Sequence, residues 1–259
     1  MHAALFLPLF DRLSDPHVAV AITVAAEEAG WDGVFVWDHL LWDPPVELVA
    51  DPWIVMAAMA YATEHVRLGP MVTPIARRRP QVLARQTVSL DHLSDGRLVF
   101  GVGLGGDRGG ELSRFDEELD RRARAELLDR GLDRITRWWA GEAVDGVRLV
   151  PGPVQQPRIP VWVASRHPNR APVRRAARWD GWFPVEVPSP DALAEQVAYA
   201  HEHRADGAPP WDVAVQGLPD ADPRPWRDAG ATWWLTRFEP ADPSPDDVLA
   251  IAKAGPPRV

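Results

Sequence analysis

The chain has 259 residues, of which 46% are hydrophobic, and its formal net charge is −9. This length fits one α/β barrel of about 250 residues. The negative charge argues against general binding to nucleic acids or anionic membranes, because such binding needs a basic field. Cysteine is absent, which excludes disulfides, thiolate metal sites and a cysteine nucleophile.

The amino-terminal residues lack the basic head of a secretory leader, and an acidic residue soon follows the first apolar run. No apolar stretch approaches the roughly 20 residues that span a bilayer. We therefore expect a soluble, cytoplasmic protein.

Apolar runs alternate with amphipathic segments along the first half of the chain. A strand is predicted at 2–8 and a helix at 16–29, whose apolar face repeats at helical spacing. The strand predicted within 30–40 has no polar alternation, which is typical of a parallel strand covered on both faces. Further helices are predicted at 52–65, 80–94 and 116–140, and further strands at 66–74 and 97–104.

The second half repeats this alternation after an irregular excursion at about 141–160, which is rich in proline and glycine and includes a small hairpin around Asp145 and Gly146. Strands are predicted at 160–164, 181–185, 212–216 and 231–236, and helices at 172–178, 190–204, 223–229 and 243–254. Eight strands alternating with eight helices indicate an α/β fold with parallel strands that close into a (β/α)8 TIM barrel. We expect one such domain over residues 1–259.

Two chemically capable side chains, Asp38 and His39, lie where the second predicted strand ends. Barrel enzymes place their chemistry at the carboxyl ends of the strands. An adjacent carboxylate and imidazole could bind a polar ligand and transfer a proton, since histidine titrates near neutrality. The alternative is a loop pair that only caps the following turn.

Glycines end the fourth predicted strand in the segment GVGLGG, residues 101–106. The segment does not match G-x-G-x-x-G, and no P-loop lysine follows it. Because glycine has no Cβ, a flat ring could lie close to the backbone there. A role in the turn alone is the alternative.

Arginines follow the third and fifth predicted strands, at positions 77, 78, 79, 166 and 170. In an acidic chain, two such clusters on one rim could form an anion site, and the helix that follows Asn169 could bind phosphate with its free N–H groups. Solvated surface is the alternative, and it is the expectation for Arg174 and Arg175, which fall inside the predicted helix.

The histidines, serines and tryptophans were also searched for known motifs. The eight histidines form no H-E-x-x-H, and no G-x-S-x-G is present, so neither a metal site nor a serine hydrolase is predicted. Trp37, Trp162 and Trp182 are expected in the core, whereas Trp42 could form the wall of a pocket for an aromatic ligand.

Several segments, taken together and in order, resemble the luciferase-like flavin-dependent oxidoreductases, particularly the branch that uses the deazaflavin coenzyme F420. These segments are AEEAGWDGVFVWDHL, DPWIVMAAMAYATEHVRLGPMVTP, RRRPQVLARQTVSLDHLSDGRLVFGVGLGG, IPVWVAS and AARWDGWFPV. The resemblance covers most of residues 18–187. It implies a (β/α)8 barrel with the coenzyme ring across its carboxyl-terminal face.

The resemblance also implies roles for individual residues. His39 would take part in proton transfer together with Asp38, and a cis peptide bond between Met71 and Val72 would back the ring. Gly103 to Gly106 would flank the ring, while Ser165, Arg166 and Asn169 would bind the phosphate. The implied cofactor-binding residues are Asp38, Met71, Val72, Gly103, Leu104, Gly105, Gly106, Ser165, Arg166 and Asn169.

One departure concerns the substrate. Sugar-phosphate dehydrogenases of this family carry a glutamate directly after a GVGTG-type segment, where this chain has Gly106. We therefore expect F420-dependent hydride transfer to or from a different small organic substrate. An FMN-dependent monooxygenase that activates oxygen and a flavin-binding protein without turnover remain open, with a metal-dependent hydrolase as a remote third alternative. Members of the family often form homodimers.

Overall fold

The computed structural model of the chain describes residues 1–241 and 243–258. Within these residues the strands are β1 His2–Leu7, β2 Gly33–Val36, β3 Arg67–Pro70, β4 Thr73–Pro74, β5 Phe100–Gly103, β6 Val161–Arg166, β7 Gly181–Val185, β8 Asp212–Gly217 and β9 Trp233–Arg237. The α-helices are α1 Pro16–Glu28, α2 Pro52–Ala62, α3 Pro80–Leu93, α4 Arg121–Trp139, α5 Arg170–Ala176, α6 Pro190–His201, α7 Arg224–Asp228 and α8 Pro245–Ala254. None of these helices is long and apolar enough to cross a membrane.

These strands form one parallel sheet in the order β3-β2-β1-β9-β8-β7-β6-β5-β4. The two ends of the sheet approach each other, because Leu68 of β3 forms a parallel bridge with Leu98, just before β5. The sheet is therefore a nearly closed barrel with helices in its connections. This confirms the predicted (β/α)8 architecture, with nine strands among the described residues instead of eight.

The extra strand arises because the segment predicted as one strand at 66–74 is divided into β3 and β4. The division falls at a cis peptide bond between Met71 and Val72, as the resemblance implied. β3 pairs with β2, whereas β4 pairs with β5. The backbones pack so closely that a Cβ at Gly69 would lie 2.0 Å from the backbone oxygen of Val99. The prediction of one continuous strand is wrong at this point, where the chain leaves one neighbouring strand and joins the other.

Five of the α-helices given above, namely α1, α2, α4, α6 and α8, begin at a short polar side chain that accepts a free backbone N–H group. Asp51 accepts two such hydrogen bonds at the start of α2. The prediction that the fourth helix starts at 116 is wrong, because Asp116 has a left-handed φ of 54°. Asp120 is the capping residue instead, and its carboxylate accepts the N–H of Ala123 at 2.8 Å. The delay leaves a long loop, residues 104–120, between β5 and α4.

The excursion at 141–160 is irregular, as predicted. Val144 and Val147 form an antiparallel bridge around Asp145 and Gly146, which have φ values of 50° and 77°. The fully buried Asp91 of α3 accepts two backbone N–H groups and one side-chain amide from the end of the excursion. This segment is therefore packed against the outside of the barrel.

Aromatic side chains fill the barrel interior. The ring centroids of Phe35, Trp162 and Trp233 lie 5.5 to 5.7 Å apart, and these rings are buried. Trp182 is fully buried as well, as predicted for Trp162 and Trp182, whereas Trp37 is half-buried near the mouth. A barrel packed in this way leaves its carboxyl-terminal rim as the place for a ligand.

Candidate active site

The site is built on the carboxyl ends of β2 and β4 and on loop 104–120. Asp38 and His39 follow β2, and Arg77 and Arg78 follow β4. The loop adds Glu111, which is fully buried. Because parallel strands end at the same rim, these side chains converge although they are far apart in sequence.

Asp38 is held inside the protein. Its carboxylate is 1% exposed and accepts hydrogen bonds from the guanidinium groups of Arg77 and Arg78, both at 2.8 Å. Thr73 donates at 2.8 Å and the indole of Trp53 at 3.4 Å. Both carboxylate oxygens are therefore occupied by protein donors. This geometry suits a residue that positions the rim, and direct action of Asp38 on a coenzyme or substrate stays a prediction from the resemblance.

Glu111 is a site residue that the sequence analysis did not identify. It accepts hydrogen bonds from Nδ1 of His39 at 3.0 Å, from the N–H of Leu40 at 3.0 Å and from Arg77 at 2.7 Å. Burial opposes ionisation of Glu111, but the hydrogen bond with His39, the charge of Arg77 and the hydrogen bond from the N–H of Leu40 outweigh it. The pKa of this carboxyl therefore lies below its ordinary value of 4.5.

The lowered pKa of Glu111 predicts how acid should affect stability. The unfolded chain binds this proton more readily than the folded chain, so the stabilisation is complete above pH 4.5 and is lost as the pH falls through the folded-state pKa. We expect Glu111→Gln to lower the free energy of unfolding by about 3 kcal/mol at neutral pH, since it removes one member of a buried charge network. The difference from wild type should narrow below pH 4.5, measured by urea unfolding across pH.

The control for this experiment is Glu126→Gln, which removes an exposed carboxylate that pairs with Arg122 at 3.6 Å. Exposed pairs of this kind contribute about 0 to 1 kcal/mol. A constant difference between Glu111→Gln and wild type at every pH would contradict the assigned ionisation of Glu111.

Aromatic rings surround His39 on the rim. Its ring centroid lies 4.5 Å from that of Trp42 and 6.0 Å from those of Trp37 and Phe10. The guanidinium of Arg108 lies over the ring of Trp42, 4.9 Å from its centroid. Trp42 therefore contacts both the imidazole and Arg108, which lines a neighbouring arginine-rich cavity. Trp42 itself is not part of that lining, so its predicted place in a pocket wall stays a prediction.

That cavity has a volume of about 660 Å³. Its lining residues are Asp43, Gly105, Gly106, Asp107, Arg108, Arg121, Arg124 and Arg166. Four arginines against two aspartates make the lining positive, although the net charge of the chain is −9. A positive cavity in an acidic protein favours an anionic ligand.

Arg124 is the most buried of these arginines. It is 6% exposed, and its Nε and Nη1 have no hydrogen-bond partner within the described residues. It lies on the buried stripe of α4, one turn before Leu128 and two before Leu132. Burial lowers the pKa of its guanidinium, and the charge of Arg121 lowers it further. Unsatisfied buried donors cost about 1 to 3 kcal/mol each, so this guanidinium is suited to a ligand that supplies acceptors.

The predicted glycines 103, 105 and 106 lie at and just after the end of β5. Gly103 is closely packed, since a Cβ there would lie 2.6 Å from the side chain of Val72. Gly105 and Gly106 line the cavity, and a Cβ at Gly106 would meet no atom within 4 Å. Met71 is buried, whereas Leu104 is half-buried. Contacts of these residues with a coenzyme ring remain predictions.

The predicted phosphate residues are only partly brought together. Arg166 lines the cavity and pairs with Glu186. Ser165 is buried, and its hydroxyl accepts the indole N–H of Trp182 at 2.8 Å. The side-chain amide of Asn169 is exposed and donates to the backbone oxygen of Arg166 at 2.9 Å. Their joint binding of phosphate stays a prediction.

The two predicted arginine clusters do not form a single anion site. Arg77 and Arg78 bind the carboxylates described above. Of the second cluster, Arg170 lies over the ring of Tyr199 and Arg174 donates to its hydroxyl, while Arg175 pairs with Asp129. Among the arginines that the sequence analysis named, only Arg166 lines the cavity. Within residues 1–241 and 243–258, no group of three or more histidine and acidic side chains could hold a metal ion.

Comparison with known proteins extends this description. The F420-dependent hydroxymycolic acid dehydrogenase of Mycobacterium tuberculosis is 29% identical over 256 residues, which cover 92% of this chain and 68% of that protein. The structure of the monooxygenase RslO1 from Streptomyces bottropensis has a TM-score of 0.80 at 19% identity, over 98% of this chain and 97% of that one. An F420-dependent secondary alcohol dehydrogenase, solved with an F420-acetone adduct, has a TM-score of 0.78 at 16% identity over 97% of both chains. At these identities the two structures show the shared fold.

A sequence model of the family described as luciferase-like monooxygenase matches residues 7–222. The match covers more than half of the chain and contains every predicted site residue from Asp38 to Asn169. The chain therefore belongs to the luciferase-like monooxygenases, a family of oxidoreductases.

Proposed function

We propose that the protein transfers a hydride between coenzyme F420 and the carbon of a small alcohol or its carbonyl counterpart. The observation that carries this proposal is the arginine-lined cavity with the unsatisfied guanidinium of Arg124, next to the rim where His39 lies. The 29% identity to an F420-dependent hydroxymycolic acid dehydrogenase supports both the coenzyme and the substrate class.

The cavity fits the anionic part of such a coenzyme. Nε and Nη1 of Arg124 are donors without partners, and a phosphate supplies acceptors for an arginine in matching geometry. Gly106 leaves space in the same lining, because a Cβ there would meet no atom within 4 Å. F420 carries an acidic tail beyond its phosphate, whereas FMN ends at its phosphate. Four arginines in one cavity therefore favour F420.

His39 is assigned the proton. When bound, F420 supplies a ring that accepts or donates a hydride. As an alcohol becomes a carbonyl compound, its carbon loses a hydride and its hydroxyl loses a proton, which Nε2 of the imidazole takes up. In the reverse direction the imidazolium returns this proton to the carbonyl oxygen. Trp42 and Trp37 pack beside the imidazole.

The remaining residues support the anion-binding cavity and the proton transfer by His39. Met71, Val72, Gly103 and Leu104 lie at the end of the barrel strands and are assigned to the ring, as the resemblance implies. Arg166 joins Arg124 at the anionic end, where it lines the same cavity. Asp38 positions Arg77 and Arg78.

The alternative is an FMN-dependent monooxygenase, which is favoured by the description of the matching family as luciferase-like monooxygenases. An absorbance titration of the purified protein with F420 and with FMN separates the two. We expect saturable binding of F420 at least about tenfold tighter than that of FMN, a difference of about 1.4 kcal/mol. Saturable binding of FMN with none of F420 would contradict the proposal.

Turnover completes the test. With oxidised F420 and a panel of secondary alcohols, the visible band of the coenzyme should disappear as the carbonyl product accumulates. Tight binding of F420 with no turnover of any alcohol in either direction would instead support a flavin-binding protein without catalysis.

A further inference from the structure

Glu111 enters the site on a well-anchored loop. Asp107 accepts the backbone N–H groups of Leu112 and Ser113 at 2.8 and 2.9 Å. Asp43 accepts the N–H of Gly109 at 2.9 Å. A Cβ at Gly109 would lie 2.7 Å from the backbone oxygen of Trp42, so the loop packs directly on the segment that follows His39. The carboxylate of Glu111 is therefore delivered to the imidazole at a fixed position.

The partners of Glu111 fix which nitrogen of His39 carries a proton. Its Oε2 accepts from Leu40 and Arg77, which are donors at neutral pH, and its Oε1 accepts from Nδ1 of His39. An ionised carboxylate can only accept hydrogen bonds, so Nδ1 must carry the hydrogen. Within the described residues, Nε2 has no hydrogen-bond partner, and the side chain of His39 is 23% exposed.

The carboxylates near the imidazole are each paired with arginine. The carboxylates of Asp38 and Glu111 are balanced by the guanidinium groups of Arg77 and Arg78, which bind them at 2.7 to 2.8 Å. These four groups sum to zero charge without a proton on Nε2 of His39. A neutral imidazole with hydrogen on Nδ1 leaves the lone pair of Nε2 free.

We propose that Glu111 is a positioning residue, which holds His39 in the Nδ1–H tautomer so that Nε2 can exchange a proton with the substrate oxygen. Gly106 brings no side chain to loop 104–120, and Glu111 brings a carboxylate to the imidazole later in the same loop. Arg77 couples it to Asp38, since one guanidinium binds both carboxylates. The inference rests on the proposed function for the use of Nε2, but the tautomer itself can be measured without coenzyme.

The experiment uses the full chain with ¹⁵N-labelled histidine and long-range ¹H–¹⁵N spectra at neutral pH. The signals of His39 among the eight histidines are assigned by their loss in His39→Gln. We expect the wild type to show the Nδ1–H tautomer, although free neutral histidine in water favours hydrogen on Nε2. A wild-type spectrum with hydrogen on Nε2 of His39 would overturn the proposal, whatever the variants do.

Glu111→Gln should reverse the tautomer. The amide oxygen of the glutamine is expected to face Leu40 and Arg77, which are both obligatory donors, so that its NH₂ group points at Nδ1 of His39. Nδ1 then accepts and Nε2 carries the hydrogen. The value of kcat should fall about 100-fold, as expected when a proton-transfer residue is in the wrong tautomer, while the Kd of F420 changes less than threefold.

Two further variants keep the outcome decisive. Glu111→Asp retains an acceptor, so it should retain the Nδ1–H tautomer and lose only about tenfold in kcat, and it replaces Glu111→Gln if that variant does not fold. The control Glu126→Gln is exposed and should match wild type in both readouts. An unchanged tautomer in Glu111→Gln would overturn the inference. A reversed tautomer in a protein that turns over no alcohol would support the role of Glu111 and reject the proposed function.

Discussion

Arg124→Met is expected to weaken the binding of F420 by about 100-fold without destabilising the chain. Hydrogen bonds to charged groups contribute about 1.5 to 3 kcal/mol, and 2.7 kcal/mol corresponds to about 100-fold in Kd. Methionine fills the volume of the buried arginine stem, which packs one turn before Leu128. Isothermal titration calorimetry with F420 measures the loss of affinity.

The free energy of unfolding of Arg124→Met distinguishes a binding role of this arginine from a structural one. Nε and Nη1 of Arg124 have no partners within the described chain, so the substitution removes buried donors that bind nothing when the coenzyme is absent. The free energy of unfolding without coenzyme should stay within about 1 kcal/mol of wild type or rise. Loss of affinity at preserved stability is the pattern of a binding residue, because a structural arginine would lose both.

The matched control is Arg122→Met, which removes a guanidinium from the same turn of α4. The side chain of Arg122 is 90% exposed and does not line the cavity. Its replacement should leave the Kd of F420 within about twofold at physiological ionic strength, because exposed charges are screened. If Arg124→Met bound F420 as tightly as wild type, the cavity would have to be rejected as the site for the anionic part.

The fold and the rim could be predicted from sequence because both follow from periodicity. Buried parallel strands have continuous apolar runs, and their ends show where polar residues must converge. His39 was identified in this way. The boundary between β3 and β4 was not predicted from periodicity, which treats 66–74 as one strand. It depends on a tertiary contact, the close packing of Gly69 against Val99 just before β5.

The sequence pattern did not predict which side chains bind the residues on the rim. Arg77 and Arg78 follow the end of a strand, and this position suggested that they would bind an anionic ligand. In the structure they bind the carboxylate of Asp38 instead. Glu111 is separated from His39 by 72 positions and reaches it only through the path of loop 104–120. Sequence periodicity carries no information about such a path.

Arg124 differs from Glu111, because a signal for it was present in the sequence. The start of α4 has the sequence RRAR, and three of its arginines are equivalent by composition. Only Arg124 continues the apolar stripe of Leu128 and Leu132 at intervals of four residues. A charged residue on the buried stripe of a helix is costly unless it has a partner, so this pattern could have identified Arg124 as a candidate ligand-binding residue.

His39→Ala is expected to lower kcat by about 10² to 10⁴, the usual contribution of a positioned acid or base. The Kd of F420 should change by less than about threefold, because the imidazole is not part of the lining of the arginine-rich cavity. Steady-state kinetics with the best alcohol of the panel, together with an F420 titration, measures the two effects separately. His17→Ala, an exposed position on α1, is the control.

The two substitutions, one in the cavity lining and one outside it, should therefore have opposite effects on kcat and on coenzyme affinity. Arg124→Met weakens coenzyme binding and should leave kcat at saturating F420 within about threefold, whereas His39→Ala lowers kcat and leaves coenzyme binding intact. Since His39 is not part of the cavity lining to which Arg124 belongs, the effects of the two substitutions on kcat/KM should be nearly additive in the double variant. Equal losses of kcat and coenzyme affinity in His39→Ala would assign the imidazole to binding, and the proton would then need another carrier on the rim.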